Sequence, residues 1–255
     1  MTMPVSAVEI IAHRGASHDA PENTLSSVNL AWEQNADSVE IDVYLSKDGH
    51  VVLFHDKDTE RIGGRKQKVE AQTLAELRQL DVGAWKDEKY RGERIPVISQ
   101  VLPTIPDGKR LYVEIKSGSE ILPRLQQEFQ SAGVDGDKIT IIAFDYETIV
   151  GAKKLMPSIP AYWLSSLKKD KQTGRIPTKE ELIAKAKAAG SEGLDLQAQP
   201  FVDAADVKAI KDAGLDLYVW TVNEPDEARR LMEAGVDGIT TDRPAFLKDE
   251  LGLSK

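Results

Sequence analysis

The 255-residue sequence contains no cysteine and only four histidines. Without cysteine the chain forms no disulfide, has no thiolate nucleophile and cannot hold zinc through sulfur. Any metal must therefore be bound through oxygen or nitrogen atoms. The composition favours a cytoplasmic location, with secretion through a signal later trimmed from the N-terminus as the alternative.

Long apolar runs and an excess of basic residues are also missing. No run approaches the ~18 apolar residues that a spanning helix needs, and the opening MTMPVSAVEI lacks the basic start of a signal peptide. The net charge of −9 argues against general nucleic-acid binding. The lysine-dense segment 167–175, LKKDKQTGR, is interpreted as a solvated loop. We expect no nucleic-acid partner and no stable membrane insertion, and the oligomeric state stays open.

Strand-like and helical patterns alternate along the chain. Helical segments, several of which end on glycine, separate most of the apolar β-rich runs. Such alternation predicts an α/β fold, a (β/α)₈ TIM barrel, with a doubly wound open sheet as the alternative. The eight predicted strands are VEIIAH, SVEIDVYL, LYVEIK, ITIIAF, PAYWLS, GLDLQ, LYVWTV and GITTD.

The interval between the second and third barrel strands is too long for one helix. It spans residues 57–110 and includes GGRKQKV, TLAELRQLD and VGAWKDEKYRGERIP. We interpret it as an insertion over the barrel mouth, where loops of such barrels gather around the active site. No low-complexity linker interrupts the chain, so residues 1–255 are predicted to form a single domain.

Two acidic side chains lie on the inward face of the second predicted strand. Side chains in SVEIDVYL (38–45) alternate between faces, so Glu40 and Asp42 point into the barrel while the apolar residues meet the helices. The rise of ~3.3 Å per residue places these two carboxylates ~6.5–7 Å apart along the strand. Two like charges in a confined site repel unless a cation, a proton or a basic residue compensates them.

The third barrel strand adds a third acid. In LYVEIK (111–116), Glu114 and Lys116 face inward by the same alternation. The three acids form an all-oxygen ligand set suited to one divalent cation, Mg²⁺ or Ca²⁺. The alternative is an internal salt-bridge network in which Lys116, Arg14 and water neutralise the acids.

The histidines divide into two pairs. His13 ends the first strand and His55 ends VVLFH, so both could reach the space around the acids. A histidine pair beside a metal site can deprotonate an attacking oxygen and protonate a leaving one near neutral pH. His18 in a loop and His50 in a hairpin turn are interpreted as exposed bystanders.

Arg14 and Lys116 add positive charge beside the candidate metal and histidines. Hydrolysis of a phosphodiester needs a neutralised phosphoryl group and a protonated alkoxide leaving group, and these side chains could supply both. Gly15 is expected to permit a tight turn after Arg14, and Asn23 to cap the first helix. Trp220 should face the barrel mouth by alternation with Tyr218, and the barrel core is the alternative place for both Trp220 and Phe144.

Several motifs occur together and in order: HRGA, PENT, the EID of strand two, KDGHVVLFHD, the EIK of strand three, TLAELRQLDVGAW, VWTVN and GVDGITTDRP. This set resembles the glycerophosphodiester phosphodiesterase family over nearly the whole chain. The resemblance implies a small-molecule glycerophosphodiester as substrate, and release of an alcohol and glycerol 3-phosphate through a cyclic phosphate.

The resemblance also implies roles for individual residues. Glu40, Asp42 and Glu114 would bind the divalent cation, and His13 and His55 would exchange roles as general base and acid. Substrate and phosphate contacts would come from four further residues, Arg14, Lys116, Phe144 and Trp220.

Three alternatives remain at this stage. A metal-dependent amidohydrolase would usually carry a second histidine two residues after the first, but Gly15 stands at that position. A barrel that binds phosphodiesters without turnover would have lost a histidine or a ligand, and none is missing. A hydrolase of lysophospholipid or other head groups would use a similar catalytic set.

Overall fold

The strands close into a barrel. The computed structural model describes residues 8–169, 174–198 and 202–254. Eight strands are parallel in the order β1-β9-β8-β7-β6-β5-β4-β2, and β1 also pairs with β2, which closes the sheet; β3 lies outside, antiparallel to β2. The predicted (β/α)₈ barrel is confirmed, and the open sheet is wrong. The strands of the described residues are β1 (Glu9–Ala12), β2 (Ser38–Leu45), β3 (Val51–Leu53), β4 (Arg110–Ile115), β5 (Ile139–Ala143), β6 (Ala161–Ser165), β7 (Gly193–Gln197), β8 (Asp216–Trp220) and β9 (Gly238–Thr241).

Helices connect the strands and cover the barrel. Short 3₁₀ turns also lie at Val69–Ala71, Glu88–Tyr90, Leu102–Thr104 and Ser119–Ile121. Helices α5, α7 and α9 end at glycines, as the sequence predicts. The α-helices of the described residues are α1 (Leu25–Glu33), α2 (Glu60–Gly63), α3 (Leu74–Leu77), α4 (Ile98–Val101), α5 (Leu122–Ala132), α6 (Tyr146–Leu155), α7 (Lys179–Ala189), α8 (Ala204–Asp212), α9 (Pro225–Ala234) and α10 (Pro244–Glu250).

The barrel has an outer and an inner apolar layer. Outward residues of the strands, such as Ile41 and Val113, pack against the helices in the main core. Tyr112, Tyr162 and Tyr218 fill the interior, with ring centroids of Tyr162 and Tyr218 4.9 Å apart. Each tyrosine precedes the last residues of its strand, so this layer forms a floor beneath the carboxyl ends of the strands.

The chain between β2 and β4 forms the excursion that the sequence predicts. It contains β3, three short helices and its own apolar cluster, which includes Phe54, Leu77 and Ile95. Lys86 Nζ donates to the carbonyl of Ser17 at 2.7 Å, which ties the excursion to the loop after β1. Its role as a cover, within one domain of residues 1–255, stays a prediction.

The described residues test the prediction that the chain does not insert into a membrane, but not the other predictions about its surface and location. None of their helices is long and apolar enough to cross a membrane. Part of the lysine-dense segment, residues 170–173, lies outside the described residues, so its interpretation as a loop stays a prediction. The cytoplasmic location stays a prediction as well.

Candidate active site

His13 follows β1 directly and faces the carboxyl end of the barrel. Its backbone N–H donates to the carbonyl of Thr241 at 2.8 Å, which continues the pairing of β1 with β9. Its Nδ1 lies 2.6 Å from Oδ1 of Asp242. Asn223 Nδ2 donates to the other oxygen of Asp242 at 2.7 Å, and Ser17 Oγ donates to Oδ1 at 3.1 Å. This network occupies Nδ1 and orients the ring of His13, so Nε2 is the ring nitrogen that could exchange a proton with a ligand.

Arg14 adopts an unusual left-handed backbone conformation, with φ of 55°. Its backbone N–H donates to Glu40 Oε2 at 2.8 Å, and its guanidinium contacts Glu22 at 3.0 Å and Asp42 at 3.2 Å. The next residue, Gly15, has φ of 79°, and a Cβ there would meet backbone atoms of Ser27 at 2.5 Å. The predicted tight turn is confirmed, and it holds the guanidinium at the edge of the acidic cluster.

The three acids predicted from strand alternation converge. Carboxylate oxygens of Glu40, Asp42 and Glu114 all lie within 4.8 Å of one another, and β2 and β4 pair in the register that sets Asp42 beside Glu114. Among the described residues, Glu40 Oε1 and Asp42 Oδ1 are buried without a hydrogen-bond partner. Buried oxygens without partners are costly unless a ligand satisfies them, so the cluster fits a bound hard cation.

Lys116 supplies part of the positive charge that the salt-bridge alternative requires to balance the three carboxylates. Its Nζ donates to Glu114 Oε1 at 2.7 Å and lies 3.4 Å from Asp42 Oδ1. With Arg14, two cations face three carboxylates, which leaves one formal negative charge and the unpartnered oxygens. The network therefore exists, but it does not neutralise the cluster by itself.

The close packing of the three acids shifts their pKa values in different directions. Burial and the neighbouring carboxylates raise the pKa of Glu40 well above its ordinary value. Burial and Asp42 raise the pKa of Glu114 to about 7 against the opposing charge of Lys116. Burial also acts to raise the pKa of Asp42, but Lys116 and Arg14 outweigh it and hold that pKa below the ordinary value.

These shifts predict a pH-dependent stability in chelator. The pKa of Glu114 rises from 4.5 to about 7 on folding. Its stabilising contribution to the free energy of unfolding is therefore complete below pH 4.5 and is lost as the pH rises through about 7. At ~1.4 kcal/mol per pKa unit the loss is on the order of 3 kcal/mol. The raised pKa of Glu40 also makes the free energy of unfolding fall as the pH rises. The lowered pKa of His55 makes it rise with pH instead. Chemical unfolding between pH 5 and pH 8 measures the slope.

The matched variant for this pH prediction is Glu114→Gln. It has no titrating group at that position, so its free energy of unfolding should depend less on pH and should exceed that of the unsubstituted protein at pH 8. A stability in chelator that is flat or rises from pH 5 to pH 8 would contradict the charge balance derived for the cluster.

His55 reaches the same cavity from the excursion. It lies two residues after β3, and its Nδ1 lies 2.7 Å from Asp56 Oδ1. Asp56 in turn accepts from Arg61 at 2.6 Å, and Arg61 also binds Glu22, the partner of Arg14. Burial lowers the pKa of His55, and the charge of Asp42 opposes this shift. An imidazole of lowered pKa is neutral near pH 7 and can accept a proton.

The other two histidines lie where the sequence places them. His50 follows the turn between β2 and β3, and its side chain is 42% exposed. The side chain of His18 is 53% exposed. It borders a second, more open cavity of about 340 Å³, which adjoins the first at His13 and Arg14.

One cavity of about 170 Å³ collects most of the predicted site residues. Phe144 and Trp220 meet edge to face at its rim, with ring centroids 5.5 Å apart. Trp220 faces the mouth as predicted, and Phe144 is 43% exposed rather than part of the core. The predicted residues that line the cavity are His13, Arg14, Glu40, His55, Glu114, Lys116, Phe144 and Trp220, and Asp42 joins them through the acid cluster.

Comparison with known sequences decides the family. The sequence profile described as the glycerophosphoryl diester phosphodiesterase family matches residues 13–246. The chain belongs to this family. It is 33% identical over 242 residues to a glycerophosphodiester phosphodiesterase of Caldanaerobacter subterraneus subsp. tengcongensis, which covers 93% of this chain and 95% of that protein. It is 30% identical over 250 residues to a Bacillus subtilis enzyme of the same name, with coverage of 92% and 83%.

A solved structure of the family agrees with the barrel. A phosphodiesterase from Oleispira antarctica, determined with the product sn-glycerol-3-phosphate, matches with a TM-score of 0.86 and 30% identity over 96% of both chains. The chain is therefore an enzyme of this phosphodiesterase family, as the ordered motifs predict. The amidohydrolase alternative is excluded.

Sequence reasoning misses several residues that contact and position the candidate catalytic residues. Thr24, not Asn23, caps α1, so that expectation is wrong. Asn23 instead donates from Nδ2 to Asp42 Oδ2 at 2.8 Å and accepts the Asp42 backbone N–H at 2.9 Å. Asp56 and Asp242 fall inside the quoted motifs FHD and TDRP. A carboxylate next to a candidate catalytic histidine was the available signal for Asp56.

Proposed function

We propose that this chain hydrolyses glycerophosphodiesters to an alcohol and glycerol 3-phosphate with one bound divalent cation, Mg²⁺ or Ca²⁺. The observation that carries the proposal is the three-carboxylate cluster, which lies in one cavity between two carboxylate-oriented histidines. Glu40, Asp42 and Glu114 hold the cation. When bound, it supplies positive charge that stabilises the phosphoryl oxygens during the reaction.

Arg14 and Lys116 bind the phosphate. Both are largely buried cations that the acid cluster keeps charged, since Asp42 and its neighbours raise the pKa of each against the opposing effect of burial. Their positions are fixed by ion pairs with Glu22 and Glu114, so little reorganisation is needed when the substrate arrives. Phe144 and Trp220 contact the organic part of the substrate.

His13 and His55 move the protons. The hydroxyl of glycerol next to the phosphate attacks phosphorus and gives its proton to one histidine, while the other protonates the departing alcohol oxygen. Water then opens the cyclic phosphate with the two roles reversed and yields glycerol 3-phosphate. The Nδ1 hydrogen bonds to Asp242 and Asp56 orient both rings and keep both Nε2 atoms available for proton transfer.

A product assay tests the proposed reaction. We expect the chain to release equal amounts of alcohol and glycerol 3-phosphate from a panel of glycerophosphodiesters, and ³¹P NMR at short times to detect the cyclic phosphate. Reactions contain Mg²⁺, Ca²⁺, Mn²⁺ or EDTA. Release of glycerol and an alcohol phosphate would contradict the direction of cleavage. Faster turnover of lysophospholipids in the same panel would instead favour the head-group alternative.

A further inference from the structure

An aspartate that the mechanism does not use lies in the wall of the catalytic cavity. Asp195 on β7 is 2% exposed and borders the cavity. Its Oδ1 accepts no hydrogen bond from the described residues. Leu164 on β6 and Tyr218 on β8 are its neighbours in register, and both belong to the apolar interior. An unpartnered carboxyl in such surroundings costs free energy unless a ligand satisfies it.

The neighbouring indole does not satisfy this carboxyl. Trp220 Nε1 donates to the backbone carbonyl of Asp195 at 3.3 Å, not to its side chain. The tryptophan is therefore held in place beside Asp195 and leaves Oδ1 of its carboxyl without a donor. A buried polar side chain beside an aromatic wall is a usual arrangement for fixing the orientation of a small ligand.

The strand order sets Asp195 across the barrel from the phosphate-binding groups. In the closed order β1-β9-β8-β7-β6-β5-β4-β2, β7 lies diametrically opposite β2, which carries Glu40 and Asp42. A substrate whose phosphate is held near β1, β2 and β4 can therefore extend an organic arm across the cavity toward β7. The cavity of about 170 Å³ has room for a group of several heavy atoms, since one water takes ~30 Å³.

The arm that reaches Asp195 is the glycerol part. It has a constant size that suits this cavity behind the aromatic rim, while a variable alcohol can extend past His13 and Arg14 into the second cavity of about 340 Å³. The free end of a glycerol unit carries a hydroxyl, which can donate a hydrogen bond to the unpartnered Oδ1 of Asp195.

We propose that the Asp195 carboxyl forms a hydrogen bond with the terminal hydroxyl of the glycerol moiety and so determines specificity for glycerol. The inference rests on the proposed function. It makes β7 the recognition wall of the site, opposite the wall that carries out the chemistry.

Matched substrates test this role. A 2-hydroxyethyl phosphodiester of the same alcohol keeps the neighbouring hydroxyl but lacks the terminal hydroxymethyl group. We expect the unsubstituted enzyme to show a kcat/KM roughly 10- to 100-fold lower on the hydroxyethyl substrate, because Asp195 is then left unpaired. Asp195→Leu should abolish this preference, chiefly by losing activity on the glycerol substrate. Asp195→Asn should keep part of it.

Two controls separate recognition from folding and from the reaction itself. Ile142 on β5 lines the same cavity, and Ile142→Val shortens its side chain by one carbon without a polar change. This variant should keep the preference for glycerol. Glycerol 3-phosphate should raise the melting temperature of the unsubstituted protein more than that of Asp195→Leu. An unchanged preference in folded Asp195→Leu would overturn the inference, whereas failure of the unsubstituted enzyme on both substrates would instead overturn the proposed function.

Discussion

Replacing either His13 or His55 by alanine is expected to lower kcat by ~10²- to 10⁴-fold, the usual contribution of a positioned acid or base. Steady-state kinetics on a glycerophosphodiester measure the loss. The double variant should lose less than the product of the two single losses, because both residues serve one sequence of proton transfers. Each variant should also flatten a different limb of the pH–rate profile, the acidic limb for the base and the alkaline limb for the acid.

The matched control for the histidine prediction is His50→Ala, since this exposed imidazole in the turn after β2 should be dispensable. A nitrophenyl diester, whose leaving group needs no proton, should rescue the variant that has lost the general acid and not the other. Equal rescue of both variants, or a loss in His50→Ala as large as in His13→Ala, would contradict the assignment of this pair.

Strand alternation was enough to predict the central part of the site. In β2 and β4, apolar side chains face helices on one side, so any acid at the intervening positions has to face the barrel interior. Parallel pairing then brings neighbouring strand ends together, and Glu40, Asp42 and Glu114 meet without further information. Local pattern and closure of the barrel therefore suffice for residues that lie within regular strands.

Residues outside the strands could not be placed in this way. Asn23 precedes a threonine, which can also cap a helix, and only the tertiary contact of Asn23 with Asp42 shows which of the two residues serves the site. Asp242 is 229 positions from His13 in sequence, and no local rule pairs them.

Asp195 illustrates a different limit. The pattern of GLDLQ shows that it faces inward, as Glu40 and Asp42 do, but a single inward acid does not reveal whether it joins their cluster. Only the strand order separates it from them, by placing β7 on the opposite wall. Acids at equivalent inward positions of β2 and β7 therefore lie on opposite sides of the cavity, where they can have different roles.

Chelation with EDTA is expected to abolish activity, and Mg²⁺ or Ca²⁺ to restore it. Glu40→Gln, Asp42→Asn and Glu114→Gln should each weaken binding of the ion by at least about tenfold in titration calorimetry, because each removes a charged oxygen ligand from the cluster. Glu40→Gln and Glu114→Gln should stay folded, since an amide at either position relieves the repulsion among the acids in the ion-free protein. Asp42→Asn instead removes a charge that Lys116 and Arg14 stabilise, so circular dichroism should show that it is folded before its ion affinity is compared.

Asp195→Asn is the matched control for the ion, because it makes the same acid-to-amide change in the same cavity but on the opposite wall. Its ion affinity should stay close to that of the unsubstituted protein. Full activity in ion-free buffer, or unchanged affinity in the three cluster variants, would instead mean that Lys116 and Arg14 balance the acids by themselves. The buried Oε1 of Glu40 argues against that outcome, since no cation of the described residues pairs with it and a complete salt-bridge network would leave no buried oxygen without a partner.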